Sequence, residues 1–555
     1  MSTERDAIFR RLQADSFDLL VIGGGVTGTG IARDAVLRGL KVALVEKTDF
    51  ASGTSSKSSK LVHGGLRYLE HAQFKLVFEG TNERALLMRV APHLVKPIEF
   101  LVPVYKRDRP GLFVLDVGLW IYDGLSKFSS PKLHRTVRAQ RVFKLEPSLK
   151  RDELEGGLLY YDCATDDARL TLENTLDARG LGAQVINYTR AVKLLKDGDR
   201  VVGAEVQDQI ERDAKPLAVR AKVVINATGP WCDEVRQLAA EKPILSTSKG
   251  IHLVVDAERL RVHHAVVMKE KRRVVFCLPA GPDRTVIGTT DTFYDGRPED
   301  VRATASDVQY LLELANRYFP DAKLTFDDVL ATWAGLRPLI KPNADVASAA
   351  DVSREHHILS RPGLVTIAGG KLTTFRRMAA EVVQRAGEQL GGEPLPACAT
   401  EERPLPGALG LDGLAAVQTL ADELAAGGVV DAVIAKHLAN TYGVRARGVV
   451  ARIKSEPALG ARLDPETPYI LAQVDVAVDE EQAQTVEDVL GRRVPLLLRA
   501  RDQGLAAARK VAERMALKLA WTPAETERQA TRYREIVGVT RQFRSESPQR
   551  ANAGG

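Results

Sequence analysis

Gly23, Gly25 and Gly28 stand in the spacing G-x-G-x-x-G within DLLVIGGGVTGTGIARDAVLRGLKVALVE, residues 18–46, which ends on the acid Glu46. That spacing permits a tight turn, brings the backbone close to a pyrophosphate, and lets the following helix pack on the preceding strand. A helix starting there turns free N–H groups and the positive end of its dipole toward phosphate. Glu46 closes a second apolar run, Val42–Val45, where a carboxylate can accept hydrogen bonds from an adenosine ribose and disfavours a 2′-phosphate. A bare glycine-rich turn would need neither the flanking apolar runs nor the terminal acid. The chemistry on offer is dinucleotide binding.

A second chemical stretch follows at 52–71, SGTSSKSSKLVHGGLRYLEH. The hydroxyls of Thr54, Ser55, Ser56, Ser58 and Ser59 alternate with Lys57 and Lys60, and His63, Arg67 and Tyr68 come behind. This reads as a polar loop able to line an extended anionic cofactor, followed by a short helix carrying a cation. A mobile Ser-rich linker is the alternative, but LVHGGLRYL mixes apolar residues with glycines as packed structure does.

The elements that must position these residues follow from period and punctuation. Alternating apolar residues from Ala183 to Val206, with a turn at Asp197 and Gly198, read as sheet. Val223 to Ala227 form a buried strand whose exit, Thr228, Gly229, Pro230 and Trp231, passes close to the cofactor. VVFCLPA and VIGTT, within residues 243–345, are further strands of a substrate sheet. Gly363 to Ala368 return the chain to the dinucleotide sheet, and Gly369 and Gly370 lead into a helix beginning near Thr373. The dinucleotide domain is thus expected in three pieces, 1–82, 160–240 and 350–392, with a substrate domain at 83–159 and 241–349. A Pro/Gly-rich linker from about Pro394 opens a helical domain over 393–520, and 521–555 reads as a partly disordered tail.

A chain of 555 residues is too long for one core, and its 45% hydrophobic and 27% charged content is that of an ordinary globular protein. Four scattered cysteines without C-x-x-C spacing argue against an iron–sulfur cluster, a metal site or a disulfide framework, and point to a reducing compartment. No secretory signal is read at the N-terminus. A net charge of +6 suits an anionic substrate or lipid surface and is too dilute for nucleic acid. No segment reaches the roughly 20 apolar residues of a spanning helix. The nearest, Gly111 to Leu125, is a core helix or an interfacial element lying on lipid, and both readings stay open.

VIGGGVTGTG at 21–30, TSSKSSKLVHGGLRYLE at 54–70, DDARL at 166–170, NATGPW at 226–231, KGIHLVV at 249–255, IGTTDT at 287–292, GLRPL at 335–339 and AGGKLTTFRRMAAE at 368–381 carry a resemblance in their order. TVEDVLGRRVPLLL at 485–498 extends it to the C-terminal part. The chain resembles the FAD-dependent, aerobic-type glycerol-3-phosphate dehydrogenases, within the wider group of glycine-oxidase-like flavoproteins. The resemblance implies an α/β flavoprotein: a Rossmann-like FAD-binding domain with an inserted antiparallel-sheet substrate domain, plus a C-terminal helical domain. It implies oxidation of sn-glycerol 3-phosphate to dihydroxyacetone phosphate by hydride transfer to flavin N5. Electrons would pass to membrane quinone from a cytoplasmic enzyme held peripherally on the inner, anionic face of the cell membrane, and a homodimer is admitted. An oxygen-using flavin oxidase of glycerol 3-phosphate, or of an amine or amino acid, is the alternative. A non-catalytic dinucleotide binder is a third class, which the intact set of cations and histidine opposes.

The resemblance also distributes roles. Arginine's planar fork pairs with phosphate and keeps its charge, and Arg337 and Arg354 match the phosphate-facing arginines, with Arg67 and Lys371 as further cations. His252, Arg337, Lys371 and Arg67 form the catalytic set; Tyr68 orients substrate, and Thr290 and Asp291 shape the pocket wall. A neutral His252 can accept the alcohol proton, though a nearby arginine or lysine stays open as the base. Gly370, Leu372 and Thr373 would direct a helix start at the flavin pyrimidine, and Gly229 would lie close to the cofactor.

Overall fold

The computed structural model describes residues 4–66, 73–211, 213–270, 273–341 and 355–546. An eight-stranded sheet carries the dinucleotide motif, its strands ordered His356–Arg361, Leu364–Gly369, Leu217–Asn226, Ser16–Ile22, Val42–Val45 and Gln184–Ile186, with Thr189–Asp197 and Arg200–Asp208 continuing from Leu217–Asn226. Ser16–Ile22 runs parallel to both neighbours, Leu20 facing Ala43 on one side and Val224 on the other. Helices cover both faces of such a sheet, so its strands are apolar on both sides; every residue of Val42–Val45 is buried. Gly30 lets helices Val26–Leu37 and Phe375–Leu390 approach closely, because a Cβ there would lie 3.0 Å from the Phe375 ring.

A ten-stranded sheet faces it, with Leu245–Asp256 between Arg284–Gly288 and Val329–Ile340 at its centre. Its pairings are antiparallel except that Ala265–Glu270 runs parallel to Lys96–Tyr105. This sheet also recruits Leu61–Val62, which the boundary expected at 82 assigned to the dinucleotide domain, and the whole of Leu154–Ala164, which the boundary expected at 160 cuts. Strand pairing rather than chain position decides membership.

The C-terminal part is helical, through Gly413–Ala426, Ala432–Tyr442, Ala446–Ser455, Ala472–Asp479 and Leu505–Leu519. It does not stop at 520. Thr522 caps a further helix, Pro523–Arg541, whose Ala530, Tyr533 and Val537 are buried, and Phe543 packs edge-on against Phe326 in the core of the substrate sheet. The expectation of a tail from 521 is therefore corrected up to Ser545: three apolar residues on one face were enough to dock an otherwise polar helix.

Leu112–Leu125 is a surface helix, with Leu119, Tyr122 and Asp123 buried while Phe113 is 80% and Trp120 54% exposed. The core-helix reading of this run is set aside. Among the described residues no helix is long and apolar enough to cross a membrane, and no cluster of His, Cys, Asp and Glu could hold a metal. Cys163, Cys232, Cys277 and Cys398 are free thiols.

Candidate functional site

The two sheets meet over a cavity of about 1370 Å³. On the dinucleotide side its wall is main chain. Gly23 adopts φ +114°, and a Cβ there would strike the Ala227 carbonyl at 2.6 Å. Gly25 precedes the helix Val26–Leu37, whose first N–H, from Val26, donates to Ser55 Oγ at 2.9 Å. Gly28 lies off the cavity: a Cβ on it would sit 1.9 Å from the Gly23 carbonyl, so its work is to seat the helix against the turn. Glu46 faces the cavity and holds the turn from behind, accepting N–H bonds from Gly24 at 2.7 Å and Thr48 at 2.9 Å. Burial raises its pKa despite those N–H groups. A turn stripped of side chains, a helix start and a carboxylate along one elongated wall fit a dinucleotide with its pyrophosphate at the glycines.

The other main-chain element is the junction after Leu364–Gly369. Gly370 has φ +90° and lines the cavity with Lys371, Leu372 and Thr373, which begin the turn leading into Phe375–Leu390. The Thr373 hydroxyl accepts the His63 N–H at 3.1 Å and contacts its carbonyl at 3.2 Å, joining this helix start to the Ser-rich loop. Gly229, with φ +54°, also lines the cavity.

On the facing sheet the wall is built of side chains. Leu245–Asp256 and Val329–Ile340 pair antiparallel with Ser248 opposite Arg337, Gly250 opposite Gly335 and His252 opposite Trp333. Strand side chains alternate, so these six lie on one face. The two glycines border the cavity and make room for neighbours: the Arg337 guanidinium and the Thr289 hydroxyl over Gly250, and the Lys57 carbonyl over Gly335. Arg337 lies over Gly250, where a Cβ would come within 2.5 Å of the guanidinium, and donates to Asp291 at 3.2 Å and Thr289 Oγ1 at 3.3 Å. Asp291 in turn accepts from the Ser248 hydroxyl at 2.9 Å.

His252 is 2% exposed and stacks on Trp333 with ring centres 4.6 Å apart. It rests against Gly288, where a Cβ would come 2.1 Å from its ring. Its Nε2 shares a 2.8 Å hydrogen bond with the Ser59 hydroxyl, and its buried Nδ1 has no partner. Burial, followed by the charges of Arg337 and Lys60, pushes its pKa well below the usual histidine range, so the ring is neutral.

Thr54, Ser55, Ser58 and Ser59 line the cavity and also bond to protein groups. Among the hydroxyls of the Ser-rich loop, Thr54 donates to the Leu336 carbonyl at 2.6 Å and Ser58 to Asp167 at 2.7 Å, alongside the Lys60–Asp167 pair at 2.5 Å. Ser59 faces His252, and Ser56 does not line the cavity. Ser55 is the one that meets the helix start. Thr290 is buried outside the cavity lining, its hydroxyl accepting the Ile251 N–H at 3.0 Å and its carbonyl the Arg337 guanidinium at 3.2 Å. Arg67, Tyr68 and Arg354 lie outside the described residues. Ser248, Thr289, Trp333 and the three glycines around His252 and Arg337 were not anticipated. For Ser248, Gly250, Trp333 and Gly335 the signal was the matched alternation S-x-G-x-H at 248–252 and W-x-G-x-R at 333–337, while Gly288 and Thr289 stand in IGTTDT at 287–292.

Comparison with known proteins agrees with this geometry. Residues 18–376 match the family described as FAD dependent oxidoreductase, and residues 398–526 match the C-terminal domain of alpha-glycerophosphate oxidase. The chain is 39% identical over 536 residues to glycerol-3-phosphate dehydrogenase 2 of Mycobacterium tuberculosis, covering 96% of this chain and 89% of that one. It is 37% identical to the aerobic glycerol-3-phosphate dehydrogenase of Bacillus subtilis, over 89% of each. It is similar to the solved structure of the glycerol-3-phosphate dehydrogenase from Bacillus halodurans complexed with FAD, at 32% identity, with a TM-score of 0.79 and 99% of both chains covered.

Proposed function

The chain belongs to the FAD-dependent glycerol-3-phosphate dehydrogenases, and from that premise we propose that its cavity oxidises sn-glycerol 3-phosphate to dihydroxyacetone phosphate and sends the electrons to a membrane quinone. When bound, FAD supplies the two-electron acceptor, flavin N5 taking the hydrogen and electron pair of the substrate's C2–H bond. In this reading Gly23, Gly25 and the start of Val26–Leu37 hold the pyrophosphate and Glu46 the ribose. The helix start at Gly370, Leu372 and Thr373 meets the flavin pyrimidine, worth about 1–2 kcal/mol of charge stabilisation when partly buried.

The carrying observation is that Arg337 and His252, set on one face of two paired strands, line the same cavity as the glycine turn. Arg337 binds the phosphate dianion, its fork already oriented by Asp291, and Lys371 adds charge; Arg354 and Arg67 enter on the family resemblance. The alcohol proton goes to His252 Nε2 by way of the Ser59 hydroxyl, which lines the cavity and holds that nitrogen at 2.8 Å. Trp333 and Gly288 fix the ring and keep water from it.

The exposed helix Leu112–Leu125 supports the acceptor. Phe113 and Trp120 project outward while Val114, Val117 and Ile121 line the same cavity, and Lys106, Arg107, Lys127 and Lys132 flank the helix. An apolar helix with basic flanks lies at an anionic bilayer surface, and a lipid-soluble acceptor can enter beside it. The deciding experiment is anaerobic addition of glycerol 3-phosphate to the purified flavoprotein, expected to bleach the flavin. Absence of bleaching overturns the substrate. Reoxidation by a quinone in vesicles supports the acceptor; rapid reoxidation by oxygen with peroxide formation makes the enzyme an oxidase instead.

A further inference from the structure

The TVEDVLGRRVPLLL motif lies outside the cavity, yet it reaches the dinucleotide domain through one carboxylate. Thr485 and Asp488 form a reciprocal cap, and the turn that follows, Val489–Arg493, is a π-helix that brings two successive arginines inward. Arg492 Nε donates to Asp49 Oδ2 at 2.6 Å, and Arg493 Nη2 to Asp49 Oδ1 at 2.9 Å with its Nη1 on the other oxygen. Asn187 completes the shell of Asp49 at 3.1 Å. Asp49 and Arg493 are each 1% exposed.

Asp49 is the buried anchor of the segment between Glu46 and Ser55, whose other members Thr48, Ala51, Ser52 and Thr54 line the cavity. The segment is tied to the glycine turn by Glu46 on Gly24 and by the Ala51 N–H on the Gly24 carbonyl at 3.1 Å. Its far side is held by the C-terminal domain through Asp49.

We infer that the C-terminal helical domain sets the affinity for the dinucleotide, Arg492 and Arg493 acting as positioning residues that pre-order the 46–55 segment through Asp49. A segment ordered before binding costs the ligand less conformational entropy, and the coupling runs both ways: whatever the domain adds to FAD affinity, FAD adds to the docking of the domain. The inference rests on assigning the 46–55 segment to the adenosine end of FAD.

The test is FAD affinity, measured by flavin fluorescence on deflavinated full-length protein. Arg493→Lys, which keeps charge but loses the fork, and Asp49→Asn are expected to weaken binding about tenfold or more. Arg514→Met, which breaks the ion pairs to Asp475 and Glu456 inside the helical domain, is expected to lower thermal stability and leave FAD affinity unchanged. Wild-type affinity in both clamp variants, or equal weakening by Arg514→Met, overturns the inference. A second measurement needs no variant: hydrogen exchange across 485–498 is expected to slow when FAD is added to the wild-type protein, and unchanged exchange overturns the coupling. Gly25→Val separates the two levels. If it retains FAD, the site assignment has failed; if it loses FAD while the clamp variants bind normally, only the coupling has.

Discussion

The two walls of the cavity are made by different means. The dinucleotide wall presents main chain: Gly23 and Gly370 at positive φ, a helix start behind Gly25, and Glu46 folded back onto the Gly24 N–H. The facing wall presents side chains, Arg337 and His252, brought together by the pairing of strands 245–256 and 329–340. Glycine serves both walls for opposite reasons. At Gly23 it frees the backbone; at Gly250 and Gly288 it makes room for a neighbour's guanidinium and imidazole. A wall of backbone amides suits a large ligand that stays bound, and a wall of side chains suits a small one whose protonation must change.

Damage to the first wall should abolish cofactor binding, whereas damage to the second should leave FAD in place and slow the chemistry. The largest effect is expected from Gly25→Val, whose branched side chain would meet Ser55 and occupy the phosphate position. The purified variant should lack the flavin absorbance, and a fully flavinated variant would show that this turn does not hold FAD.

Next is His252→Ala, expected to lower the anaerobic flavin-reduction rate by roughly 10²–10⁴ with little change in substrate affinity, because a proton acceptor acts in the transition state. Ser59→Ala should fall in the same direction by a smaller factor. If Ser59→Ala reduces at the wild-type rate, the relay is wrong and the proton reaches the imidazole directly.

Arg337→Ala follows. Loss of a charge-assisted pair to a buried dianion costs about 2–5 kcal/mol, which is roughly thirtyfold to several thousandfold. The loss should appear with glycerol 3-phosphate and leave flavin content and any trace turnover of glycerol unchanged. Equal losses on both substrates would remove Arg337 from phosphate recognition.

The smallest effects concern pH. Burial, followed by nearby positive charges, holds His93 at about 3, and burial likewise holds His437 at about 3. Each is neutral when folded and takes up a proton on unfolding below about 6.5, so stability is complete above that pH and falls as pH drops toward 3. The slope is about 1.4 kcal/mol per pH unit for each, about 3 for the pair. His252 is depressed in the same sense, so it stays unprotonated in the folded enzyme. Melting temperature should therefore decline between pH 6.5 and 5 while the reduction rate of saturated, still-folded enzyme shows no imidazole limb there. A limb at pH 6.5 would mean that His252 titrates normally.

The dinucleotide wall was legible because its signal is local. Turn, helix start and terminal acid fall within residues 18–46, and strand–helix geometry carries that order directly into space. The Ser-rich loop shows the limit of such reading. Its hydroxyls were all assigned to the cofactor; Thr54, Ser55, Ser58 and Ser59 line the cavity, and there Ser58 also donates to Asp167, Thr54 to the Leu336 carbonyl, and Ser59 meets the histidine. A hydroxyl is recognisable in a sequence, but its partner is set by segments a hundred or more residues away.

By itself the sequence determined what depends on spacing along the chain: the glycine turn and its terminal acid, the return strand with its Gly-Gly helix start, and the family motifs that pointed to His252 and Arg337. Only the tertiary structure decided what depends on register and docking. It placed Arg337 opposite Ser248 and His252 opposite Trp333, laid helix 112–125 on the surface beside the cavity, and carried the helix 523–541 into the fold. It also joined Arg493 to Asp49, 444 positions apart. The physical reason is that a slip of one residue between strands turns every side chain to the other face, and a buried charge is settled by whichever opposite charge the packing brings to it.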